Sequence, residues 1–236
     1  VKIKDHMRGA VWNAHAAGFV VGISGGIDSA VACALAAKAV GPERVLGVSM
    51  PVSSNSPQDA ADAAELCKAL GVELITVPLG DVLDTFLSLD GITNTPVLAG
   101  NIASRLRMTA LYNIAASRGY LVCGTSNKTE YMIGYSTKWG DGASDVQPLL
   151  HLYKKDVYAL AEELGIPQAI IDKAPSAGFF EGQTDEADIG LSYAELDSAL
   201  WNLELNEFVP QNAVEEKVLG LVIKSEHKRK PPVFIP

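Results

Sequence analysis

The stretch from Gly18 to Val40 constrains this chain more than any other. Gly18-Phe-Val-Val-Gly-Ile-Ser24 is a continuous apolar run. Such a run, without alternation, predicts a strand buried on both faces, as in a parallel sheet. It ends in Ser24-Gly-Gly26 and passes straight into Ile27–Val40, an alanine-rich helical segment closed by Gly41-Pro42. A sheet covered on both faces needs a large core. The 236 residues are 48% hydrophobic and 20% charged, enough for one α/β domain with a small appendage.

The unit then repeats. A helix is expected over Asp5 to Ala17, before the first strand. Strands are expected at Val45 to Met50, Val72 to Val77 and Tyr120 to Cys123. Helices are expected from Ser56-Pro57 to Leu70, with Pro at a tolerated first position, and from Gly80 to Leu89. A turn-rich link, Thr93 to Gly100, leads to a long helix from Asn101 to Arg118. Alternating strands and helices give a parallel sheet with helices on both faces, Rossmann-like in outline. Beyond Tyr153 the pattern turns helical: Tyr153 to Leu164, Tyr193 to Leu203 and Val214 to Ser225. The polar loop from Pro175 to Gly190 reads equally as a mobile lid or as a plain surface loop.

In open sheets of this kind, ligands sit beyond the carboxyl ends of the strands. Ser24-Gly-Gly-Ile-Asp-Ser29 stands at such an end. Its glycines let backbone N–H groups approach an anion, and the helix behind adds free amides and a positive dipole end. No lysine follows them, so this is not the common nucleotide loop. Asp28 lies where a phosphate should go, and a carboxylate there calls for a cation between, Mg²⁺ being the natural one. The plainer alternative is an Asp and a Ser capping a helix.

A second polar cluster follows the fourth strand. Gly124-Thr-Ser-Asn-Lys-Thr-Glu130 leaves its carboxyl end, followed by Gly134-Tyr-Ser-Thr-Lys-Trp-Gly-Asp-Gly142, Asp145 and Leu152-Tyr-Lys-Lys155. Glu130 is a candidate second metal carboxylate. Glycines, lysines and acids this dense suit a site built from backbone turns, or a solvated loop.

The hexapeptide resembles the pyrophosphate-binding loop of the N-type ATP pyrophosphatases, whose fold is adenine-nucleotide alpha hydrolase-like. The blocks GISGGIDSAV, NIASRLRM, GTSNKTE, GYSTKWGDG, LYK and EHK, in that order, resemble the ammonia-dependent NAD⁺ synthetases and span about Gly18 to Lys228. The resemblance implies amidation of deamido-NAD⁺ by ammonia, with ATP cleaved to AMP and pyrophosphate through an adenylated intermediate. It implies an ATP site of Ser24, Gly25, Gly26, Asp28, Ser29, Thr125, Lys154 and Ser176, with Mg²⁺ on Asp28 and Glu130. Deamido-NAD⁺ would meet Arg105, Lys138, Asp145, His227 and Lys228. Asp141 would position or deprotonate ammonia, and Lys154 would reach the phosphates as a point charge. Arg107, two places from Arg105 on a helix, faces elsewhere. His227 and Lys228 are also what a helix end favours on electrostatic grounds alone.

Two positions depart from the pattern. Ser176 stands where threonine is usual and keeps the hydroxyl. The first helix, in a region that joins a dimer partner in the family, is short.

The resemblance covers nearly the whole chain, read as one domain over residues 1–236, and implies a homodimer. A net charge of -9 argues against a broad nucleic-acid footprint. No apolar run is long enough to span a bilayer. Three scattered cysteines, Cys33, Cys67 and Cys123, suggest buried, reduced thiols and a cytoplasmic setting. The chain is too short to add a glutaminase domain, so free ammonia is the expected nitrogen source. The rivals are GMP synthetase-like or tRNA-thiolating enzymes with the same loop, and a nucleotide-binding regulatory module resembling universal stress proteins. The TK-x-GDG block counts against the first two. Asp28, Glu130 and Lys154, all present, count against the third.

Overall fold

The computed structural model describes residues 2–180 and 182–232. In chain order its elements are α1 (Lys2–Asn13), β1 (Phe19–Gly22), α2 (Ile27–Val40), β2 (Val45–Ser49), α3 (Pro57–Leu70), β3 (Glu73–Thr76), α4 (Gly80–Leu87), α5 (Pro96–Arg118) and β4 (Leu121–Cys123). Then come α6 (Lys128–Ile133), α7 (Lys154–Leu164), α8 (Gln168–Ile171), α9 (Asp185–Ile189), α10 (Tyr193–Leu205) and α11 (Ala213–Lys224).

The strands pair in parallel in the order β3-β2-β1-β4, with Val20 opposite Leu46 on one side and Val122 on the other. Alternate side chains feed two cores, as the pleat requires. Phe19 and Val21 join α1, α2, α3 and α7 on one face, and Val20, Leu46, Val48 and Val122 join α4 and α5 on the other. The alanines of α2 are nearly all buried and let that helix sit close to the sheet. A third core knits α6, α10 and α11.

Strand order positions the site. The chain moves outward from β1 through β2 to β3, then returns through α5 to lay β4 beside β1. The switch point, where crevices form in such sheets, is therefore the gap between the carboxyl ends of β1 and β4. Ser24 leaves one and Gly124 leaves the other.

Helix ends follow local chemistry. Ser56 caps α3 reciprocally with Asp59, and left-handed Gly71 ends it. Three expectations need correction. The long helix α5 begins at Pro96 rather than Asn101, because Thr95 Oγ1 accepts from Leu98 N–H and Pro96 suits the first turn. A short helix, α6, interrupts the loop expected after Gly124, because Asn127 and Glu130 form a capping box. The Pro175–Gly190 loop ends in α9, capped by Thr184. Glu181, within that loop, lies outside the described residues. Cys33, Cys67 and Cys123 are buried free thiols, and burial pushes Cys123 up to about 12. Among the described residues no helix is long and apolar enough to cross a membrane.

Candidate active site

The turn after β1 is shaped by close contact. Gly25 has φ +80°, and a Cβ there would lie 2.7 Å from the Asp59 carbonyl oxygen on α3. Ser29 Oγ donates to the Gly26 carbonyl at 2.9 Å and accepts from Ser24 N–H at 3.3 Å. The serine hydroxyls thus brace the turn. No side chain caps α2 at Gly26, which leaves the helix's first amides open toward an anion.

Asp28, in the first turn of α2, meets the second cluster. Lys154, the first residue of α7, is 1% exposed, and its Nζ lies 2.6 Å from Asp28 Oδ2 and 3.1 Å from Glu130 Oε1. Lys154 thus sets a positive charge directly against Asp28. Asn127 Nδ2 donates to Asp28 Oδ1 at 2.9 Å, and Asn127 Oδ1 accepts from Glu130 N–H. Thr129 Oγ1 donates to Asp197 and accepts from Lys154 N–H, so α6, α7 and α10 converge behind the lysine.

Tyr193, at the start of α10, closes the group. Its hydroxyl lies 2.9 Å from Asp185 Oδ2 and 3.3 Å from Glu130 Oε1, and it has one proton for both. Asp185 Oδ1 is buried without a partner among the described residues. Three carboxylates around one ammonium leave excess negative charge, and burial makes that charge costly. Burial, then Asp28, hold Glu130 up at about 7 against the pull of Lys154. Burial raises Asp185 as well. Burial opposes the charge on Lys154, yet the facing carboxylates of Asp28 and Glu130 outweigh it and raise the lysine.

Among the described residues no three acidic, His or Cys side chains form a ready-made metal cage. The excess charge and the unpartnered Asp185 oxygen nevertheless fit a hard divalent cation that takes one or two protein carboxylates and completes its shell elsewhere.

These groups line a cavity of about 1160 Å³ reached by Ser24, Gly26, Asp28, Ser29, Thr125 and Ser176. Arg107 lines it too, donating to the Met50 carbonyl and Asn55 Oδ1, whereas Arg105 points away to the Lys138 carbonyl. The two arginines do face apart. Asp141 is also on the wall, its Oδ1 accepting from Ser104 Oγ and Thr137 N–H at 2.8 Å each.

The remaining expected residues lie outside the lining, with Lys228 alone reaching it. Lys138 Nζ donates to the His227 carbonyl, and Lys228 Nζ donates to the carbonyls of Gly134 and Ser136. Arg105, Lys138, His227 and Lys228 therefore form one continuous group beside the cavity. Asp145 stands apart from them and accepts from Val122 N–H at 2.7 Å. The sequence reading missed Asn127, Asp185, Tyr193 and the lysine that follows α8, Lys173. Asn127 alone had a readable signal, an Asn three places before Glu at a helix start.

Comparison with known proteins places the chain in one family. The family model for NAD synthase matches residues 1–232. An NH₃-dependent NAD⁺ synthetase of Methanoregula boonei is 51% identical over 228 residues, covering 97% of this chain and 92% of its own. A solved NMN synthetase of Francisella tularensis superposes with TM-score 0.90 and 38% identity, over 99% of this chain and 95% of that one. An NH₃-dependent NAD synthetase of Campylobacter jejuni, solved with nitrate, superposes with TM-score 0.86 and 31% identity, over 100% and 96%.

Proposed function

Because the chain belongs to the NAD synthase family, we infer that it amidates deamido-NAD⁺ with ammonia at the expense of ATP. The observation that carries this reading is the meeting of Asp28 and Glu130 on Lys154 behind the Ser24–Ser29 turn, at the floor of one large cavity.

The chemistry needs two steps. A nicotinate carboxylate oxygen attacks the α-phosphorus of ATP, and the bond to the pyrophosphate oxygen breaks. Ammonia nitrogen then attacks the acyl carbon, the bond to the AMP oxygen breaks, and the nitrogen loses a proton. A bare carboxylate would have to expel oxide, so adenylation supplies the leaving group. The open amides of α2 and the Gly25–Gly26 backbone would hold the pyrophosphate, with Lys154 offsetting its charge. Asp28 and Glu130 would hold Mg²⁺, which when bound neutralises phosphate charge. Thr125 and Ser176 would orient ATP.

Asp141, with Oδ2 free of partners among the described residues, would receive the ammonia proton. Arg105, Lys138, Asp145, His227 and Lys228 would carry the dinucleotide out of the cavity. Their surface position supports a homodimer in which the substrate bridges two copies. Trp12, 80% exposed on α1, supports such an interface. The wall formed by Pro175–Phe180 would exclude water from the intermediate. We take residues 1–236 as one domain, and buried thiols support a cytoplasmic setting.

A second substrate reading is the nicotinate mononucleotide form, favoured by the likeness to the Francisella protein. The test is AMP, pyrophosphate and amide release with ATP, Mg²⁺ and ammonium, offering each nicotinate nucleotide in turn and omitting each component. NAD⁺ formation requiring deamido-NAD⁺ supports the first reading. Turnover with the mononucleotide alone replaces it, and ATP binding without turnover on either sinks both.

A further inference from the structure

Lys173 has no place in the mechanism above, yet it occupies a junction. It follows α8 and immediately precedes the Ala174–Phe180 wall, and it lines the cavity. Its Nζ lies 2.6 Å from Asp59 Oδ1, 2.7 Å from Asp62 Oδ2 and 3.4 Å from the Gly25 carbonyl oxygen. Both acids belong to α3, and Asp62 is only 3% exposed.

Each partner is otherwise committed. Asp59 Oδ2 accepts from Ser56 N–H in the α3 capping box, and Asp62 Oδ1 accepts from Gln58 Nε2 at 2.8 Å. The α3 backbone at Asp59 is also the surface against which Gly25 turns. One ammonium therefore touches the phosphate turn, the helix that shapes it, and the root of the cavity wall. A buried carboxylate such as Asp62 needs a counter-charge, and Lys173 is the cation that reaches it.

We propose that Lys173 is a positioning residue for ATP: by tying the Gly25 carbonyl to Asp59 and Asp62, it fixes the phosphate turn and anchors the cavity wall in the same act. This rests on the reading of Ser24–Ser29 as the phosphate site. A lysine that only neutralised Asp62 would serve stability alone. A lysine that bound phosphate directly would be released, not hindered, by removing its acids.

The test measures the ATP dissociation constant calorimetrically, without the nicotinate substrate, together with KM and kcat for wild type, Lys173→Met, Lys173→Arg, Asp62→Asn and the double variant Lys173→Met/Asp62→Asn. The double variant has no buried unpaired carboxylate, so it reports on the site even if Lys173→Met fails to fold. Losing a set of charge-assisted hydrogen bonds predicts ATP binding weaker by about tenfold in Lys173→Met. The KM for deamido-NAD⁺ should be unmoved and Lys173→Arg should recover most of the loss. Asp62→Asn should also weaken ATP, and the double variant should be no worse than Lys173→Met, because the two act as one unit.

Wild-type affinity in folded Lys173→Met, or in the double variant, overturns the proposal. So does tighter ATP binding in Asp62→Asn. A wild-type protein that binds no ATP sinks the functional reading as well, whereas one that makes NAD⁺ beside an unaffected Lys173→Met sinks this inference alone.

Discussion

Replacing Lys154 by Met keeps the buried stem and removes only the ammonium. Packing loss should then be small, and the measured cost is electrostatic. The lysine is 1% exposed, and its two partners retain 17% of their side-chain surface each. Breaking one side of a buried pair typically costs about 3–5 kcal/mol, since the remaining charge stays buried and unpaired. For a chain of this size, that lowers the thermal midpoint by about 10 °C. The loss must also depend on pH in one direction. Glu130 is already held up at about 7 by burial and by Asp28. A carboxyl whose folded value is raised contributes stability that is present in acid and lost as pH rises through that value. Without the ammonium, Glu130 and Asp28 repel each other more strongly. The deficit of Lys154→Met should therefore be largest near pH 8 and shrink toward pH 5.5, where protonation relieves the repulsion. Urea unfolding of both proteins at the two pH values is the assay. A deficit below about 1 kcal/mol at pH 8, the range of an exposed pair, would refute the claim that losing this ammonium leaves buried, uncompensated charge.

Gly25→Ala should abolish measurable ATP binding by titration calorimetry while the chain still folds, since φ +80° and the Asp59 carbonyl both reject a Cβ. Asn127→Ala should cost about 1–2 kcal/mol in denaturant unfolding, through the lost α6 cap and the lost bond to Asp28. It should also lower kcat; an unchanged kcat would remove Asn127 from the site. Arg105→Ala should raise the KM for deamido-NAD⁺ by about tenfold, as loss of a charged hydrogen bond does, and leave the ATP KM alone. A shift confined to ATP would contradict its position outside the cavity lining.

What the sequence made legible was local. Ser56-Pro57 and Gly71 bound α3 because capping and left-handed turns are decided within a few residues. The apolar runs placed the strands because burial on two faces leaves its mark on every position. The start of α5 was misplaced only because its cap, Thr95-Pro96, sits in a segment otherwise rich in turn formers.

The site divides along the same line. Asp28 and Glu130 were readable as a pair, since strand order in such sheets brings the ends of β1 and β4 together. Asp185, Tyr193 and Lys173 carried no such mark. Lys173 reaches Gly25 across 148 positions and Asp62 across 111, and Tyr193 reaches Glu130 across 63. Each belongs to the helical part after Tyr153, where amphipathic patterning reveals which face is buried but not what that face meets. The position of Lys154 follows from the same limit. Its motif suggested a cation for phosphate, and only the folded chain reveals the two carboxylates that hold it. On the proposed reading, an ammonium held by Asp28 and Glu130 gives up part of that pairing to phosphate and metal. The affinity for ATP is then a difference between two sets of ion pairs, so exchanging Asp28 or Glu130 for a neutral residue changes the unliganded site as much as the liganded one.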